Sequence, residues 1–110
     1  MDTDTEAQST PRVNSARLSD FVGRSVRLVC KVERVKDLSA IVRASDMGQV
    51  EVKMPKAEEF PDSFVEIIGM VEDANTIKLQ GSILLGNDLD FDVVNDCITM
   101  MHNPQFETVF

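Results

Sequence analysis

Between Val26 and Leu85 apolar residues recur at every second position, and from Phe91 onward they recur every 3.6. A chain that keeps the strand period over five short segments and then changes once to the helix period has few folds open to it. The first segment sets Val26, Leu28, Cys30 and Val32 on one face and Arg27, Val29, Lys31 and Glu33 on the other. Lys36-Asp37 turns the chain into a second strand, Ala40 to Ala44. Ser45-Asp46-Met47-Gly48 has the composition of a tight turn, with Gly48 expected at positive φ. A third strand runs through Val50, Val52 and Met54.

Pro55 to Pro61 breaks the pattern. A fourth strand follows from Phe64 to Val71, with Gly69 expected at a bulge or bend. Asp73-Ala74-Asn75 is a hairpin turn into a fifth strand, Thr76 to Leu85. A three-strand meander, a break and a further hairpin predict a small closed barrel. The fold class is all-β with a C-terminal α-helix, and the five-stranded OB-fold barrel is the economical choice.

The 110 residues suffice for one modest core. Residues 1–11 offer almost nothing to bury and read as a disordered acidic tail. Residues 12–86 form the barrel, with Asn14 or Ser15 placed to cap a short helical turn ending at Phe21. Residues 87–110 carry the helix and an apolar end, Phe106, Val109 and Phe110, expected to dock on the barrel or on a partner. The opening Met1-Asp2-Thr3-Asp4 lacks the apolar stretch of a secretory signal, and no run approaches a membrane span.

In the helix, Asp90 is placed as N-cap and Asn103-Pro104 as the stop. Phe91, Val93, Val94, Cys97, Ile98, Met100 and Met101 fill one half of the wheel; Asp92, Asn95, Asp96, Thr99 and His102 fill the other. A stripe of about 100° is enough to dock a helix on its own domain. The apolar half is wider, so a partner is expected to cover the surplus. Val94, Ile98 and Met101 are assigned mainly to the barrel and Val93, Cys97 and Met100 mainly to partners, although the wheel alone does not exclude the reverse.

Catalysis finds little support. A nucleophilic triad would have to pass through His102, the single imidazole, on the polar face of the helix. Cys30 and Cys97 lie on apolar faces without CxxC spacing, which argues for two reduced thiols and against zinc. Asp88, Asp90 and Asp92 have the spacing that opens a calcium loop, but Val93 stands where that loop needs Gly and Thr99 where it needs Glu. No phosphate-cradling glycine loop occurs. The reading is a non-enzyme with no cofactor, no metal and no small-molecule substrate.

Net charge is −8, distributed unevenly. Residues 12–53 hold nine basic and five acidic side chains; residues 54–110 hold two basic and eleven acidic. Tight nucleic-acid binding by the chain alone is disfavoured, because phosphate neutralisation drives such affinity. None of the six phenylalanines falls on the meander, where stacking rings would be expected. Arg27, Lys31, Arg43 and Lys53 leave a weak electrostatic track for DNA, diluted by Glu33 and Glu51.

Several phrases nonetheless match one family. They are Arg12-Val13-Asn14 with Leu18 and Phe21; Gly23-Arg24-Ser25-Val26; Val65-Glu66-Ile67-Ile68-Gly69-Met70-Val71; Phe91-Asp92 with Val94; and His102-Asn103-Pro104-Gln105-Phe106. In this order and spacing the chain resembles, over residues 12–110, the smallest subunit of replication protein A, the heterotrimer that coats single-stranded DNA in eukaryotes. The resemblance implies an OB-fold whose helix joins the large and middle subunits in a three-helix bundle. It also implies a nuclear role in DNA replication, repair and recombination through assembly, with single-stranded DNA met mainly through the complex. The alternative is an autonomous nucleic-acid-binding OB module, for example of a telomere-capping complex.

Overall fold

Strand β2, Ser25–Lys36, is shared by three neighbours, and the barrel is built around it. The computed structural model describes residues 10–102. Along the chain these form β1 (Arg12–Val13), a 3-10 helix (Ser15–Phe21), β2, β3 (Ser39–Ala44), β4 (Gln49–Lys53), β5 (Phe64–Asp73), β6 (Thr76–Leu84) and helix α1 (Phe91–Met101). The first half of β2 pairs antiparallel with β5, from Ser25 opposite Met70 to Lys31 opposite Phe64. Its second half pairs with β3, with a register shift between Val32 and Arg34. The circuit continues from β3 to β4, from β4 to β6 and from β6 to β5, and so returns to β2. The narrowest joint is the parallel β4–β6 pairing, with Glu51, Val52 and Lys53 opposite Thr76, Ile77 and Lys78.

All five expected strands are present. β1 is additional, two residues parallel to Arg27 and Leu28 of β2. The fold also begins ahead of Arg12, because the Pro11 carbonyl accepts a hydrogen bond from Arg27 N–H. Alternation holds on the inner side: Val26, Leu28 and Cys30 of β2, Val42 of β3, Val52 of β4, Ile67 of β5 and Ile77 of β6 are fully buried in one cluster with Val13 and Leu18.

Gly69 lies inward between Ile67 and Val71, at a register shift in β5. A Cβ there would strike the Lys78 carbonyl oxygen and come within 2.6 Å of Ile77 Cγ2. Only glycine lets β6 approach this closely.

The β3–β4 turn departs from expectation, because the positive φ falls on Met47 (73°) rather than on Gly48. Gly48 is needed for another reason: a Cβ would collide with the Ser15 hydroxyl. That contact belongs to a clamp. Asn14 occupies the N-cap of the 3-10 helix but makes no side-chain cap bond. Asp46 caps it from outside, accepting from Ser15 N–H (3.2 Å), Ser15 Oγ (2.8 Å) and Ala16 N–H (3.0 Å). Partial burial works to raise the Asp46 carboxyl, but the Ser15 hydroxyl and the N–H groups of Ala16, Ser15 and Gly48 outweigh it. Its pKa lies below the ordinary value.

Candidate assembly and nucleic-acid interfaces

Helix α1 starts at Asp90, whose carboxylate accepts from the N–H groups of Asp92 (3.0 Å) and Val93 (3.3 Å). One face lies on the barrel. Phe91 meets Phe64 edge to face, with centroids 5.2 Å apart. Ile98 is buried, and Val94 and Met101 are half-buried. Two residues placed on the polar half face the same way. Asn95 Oδ1 accepts from Asn14 Nδ2 at 2.9 Å and from Ser45 Oγ at 3.3 Å. His102 Nε2 lies 2.8 Å from the Arg12 carbonyl oxygen, and its ring meets Phe21 edge to face. Their hydrogen-bond partners are 50, 81 and 90 positions away, so hydropathy along the helix carries no trace of them.

The seven candidate interface residues therefore divide. Ile98 belongs to the chain's own packing and Phe91 to an aromatic pair. Val93 (57% exposed), Met100 (41%) and Cys97 form a stripe turned away from the barrel. Spaced i, i+4, i+7, they form one continuous apolar stripe along the helix. The apolar end beyond His102 lies outside the described residues, as does the tail before Thr10. Cys30 is inside the barrel, where burial, and then the negative charge of Glu66, push its thiol far above the ordinary range. Cys97 is the accessible thiol.

Of the four candidate DNA contacts, Lys31 and Arg43 are cross-strand partners, Arg27 lies four residues before Lys31 on β2, and Lys53 ends β4. Three of the four cations face carboxylates. Arg43 Nε is 2.7 Å from Glu33 Oε2, and its Nη1 donates to the Met47 carbonyl at 2.7 Å. The hydrogen bond from Arg43 is the foremost cause that holds the Glu33 carboxyl below its ordinary value. Lys53 Nζ lies 3.1 Å from Glu72, whose hydrogen bond raises the ammonium pKa. Arg27 lies 3.8 Å from Glu66, a carboxylate buried on the outer side of β5 that also takes Arg12 Nε at 2.7 Å. Lys31 instead sits 5.9 Å above the Phe64 ring. The β3–β4 face, where OB barrels take oligonucleotides, has shallow depressions lined by Arg34, Lys36, Ser39 and Ile41 and by Gln49, Glu51 and Asn75. No aromatic ring lines them.

A closed five-strand circuit with a capped helix seated on it defines an OB-fold protein. Over 92% of the chain the structure superimposes on 94% of a chain in the structure of U. maydis replication protein A bound to ssDNA, with TM-score 0.82 and 31% identity. A 14 kDa subunit of replication protein A from Arabidopsis thaliana is 30% identical over 98 residues, 89% of this chain and 91% of the relative. Telomere capping protein Ten1 of S. pombe aligns with TM-score 0.66 over 83% of this chain and 95% of its own, but at 10% identity the likeness is one of fold. The model of the replication factor A protein 3 family matches residues 1–106. The chain belongs to that family, the smallest subunits of replication protein A.

Proposed function

We propose that this chain is the assembly subunit of a nuclear replication protein A heterotrimer. It has no catalytic activity of its own and joins the large and middle subunits through α1 in a three-helix bundle. In that complex it serves DNA replication, repair and recombination. The observation that carries this reading is the outward stripe Val93, Cys97 and Met100 on a helix already docked by its other side. Left in water, such a stripe is an adhesive surface; partner helices cover it by side-chain interdigitation. The paired cations and the ring-free β3–β4 face support a subunit that meets single-stranded DNA mainly through the complex.

Coexpression with the large and middle subunits tests the reading. Val93→Glu/Met100→Glu is expected to abolish copurification while the far-UV circular dichroism of the isolated chain stays unchanged; assembly at wild-type yield overturns the proposal. Titration of the isolated chain with single-stranded DNA at moderate salt separates it from an autonomous binding module, for which sub-micromolar affinity is required.

A further inference from the structure

Helix α1 does not dock on the centre of its apolar half. With Phe91 at zero and about 100° per residue, the seven apolar side chains centre near 270°. The residues turned to the barrel, Phe91, Val94, Asn95, Ile98, Met101 and His102, centre near 340°. The helix is thus rotated by about 70° from the setting that hydrophobic burial alone favours. That rotation brings Asn95 inward and leaves Val93, Cys97 and Met100 outside.

Polar groups waiting on the barrel account for the offset. Asn14 and Ser45 are 7% and 3% exposed, and both donate to Asn95 Oδ1. Buried donors of this kind must be met, and Asn95 meets two with one oxygen. What a polar contact adds is orientation: its bonds form at one rotation of the helix, whereas apolar side chains tolerate many.

We infer that the Asn14–Asn95–Ser45 cluster is a rotational lock on α1, with Asn95 as the positioning residue that selects which stripe is turned outward. The part of this that concerns partners rests on the assembly reading above. Without the lock, the helix turns toward its apolar centre and carries Cys97 against the barrel.

Cys97 reports the rotation directly, because the other thiol, Cys30, is buried. Labelling of the full chain, without partners, by an aromatic disulfide reagent is followed for wild type, Asn95→Leu and Asn95→Asp, with Cys97→Ser as background. Asn95→Asp keeps the accepting oxygen and is expected to label within twofold of wild type. Asn95→Leu is expected to label at least tenfold more slowly with its helical signal intact. Three results overturn the lock: Asn95→Leu labelling at the wild-type rate, Asn95→Asp labelling as slowly as Asn95→Leu, or faster labelling with loss of helix, which would mean that the cluster only fastens α1. Coexpression of Val93→Glu/Met100→Glu reads assembly independently, so the lock and the assembly reading fail separately.

Discussion

Asp46 and Ser15 stand 31 positions apart and are joined by a two-oxygen contact, the Ser15 hydroxyl lying 2.8 and 2.9 Å from the two carboxylate oxygens. A turn between two barrel strands thereby caps the 3-10 helix that leads into the barrel. The same pair explains why residue 48 is glycine, since any larger side chain would displace the hydroxyl.

Stability should depend on this carboxylate in acid. Its pKa is lowered in the folded chain, so its contribution is complete above the unfolded value of about 3.9 and is lost as pH falls through the lower folded value. Urea melts at pH 7 should place Asp46→Ala about 1 kcal/mol below wild type, the worth of a helix cap. As pH falls below the unfolded value the gap between the two curves should narrow.

The two sides of α1 should respond differently to truncation. Ile98→Ala removes a side chain that is 2% exposed and should cost about 2–4 kcal/mol in the isolated chain. Val93→Ala should stay within about 0.5 kcal/mol there, as a surface change, and lower the yield of assembled complex. Denaturation of the single chain and coexpression yield are the paired measurements.

Gly69→Ala should destabilise the barrel by about 1–3 kcal/mol, because the Lys78 carbonyl is backbone and cannot step aside. Thermal unfolding followed by circular dichroism checks this. Gly81→Ala, with open space around its Cβ, is the control in the partner strand β6.

Releasing the paired cations should create DNA affinity. Glu33→Gln/Glu72→Gln leaves Arg43 and Lys53 without their carboxylates and lowers net negative charge by two. Binding of single-stranded DNA by the isolated chain should rise severalfold at low salt, and the gain should vanish at high salt. Fluorescence anisotropy across a salt series measures both.

The barrel strands were legible because each keeps its own period of two, with turn residues between. β1 was not, since two residues carry no period and their partner, Arg27-Leu28, is parallel and 15 positions further on. Glu66, between Val65 and Ile67, is buried beneath Arg12 and Arg27, and only the fold brings those guanidiniums to it. The positive φ at Met47 was hidden by the presence of Gly48 beside it. On α1 the extent of the apolar half was plain, but its setting on the barrel was not. Asn95 and His102 are polar in any scale, and their inward direction depends on Asn14, Ser45 and Arg12.

The bonds that seat α1 close very long loops, 81 positions between Asn14 and Asn95 and 90 between Arg12 and His102. Hairpins such as β5–β6 close over a few residues and form early; contacts between the two ends of the chain form late. The barrel strands can therefore close on one another before the two ends of the chain meet, leaving Asn14 and Ser45 hydrated until α1 docks. Under the proposed lock, α1 meets a template already in place, and its outward stripe is set from the first docking onward.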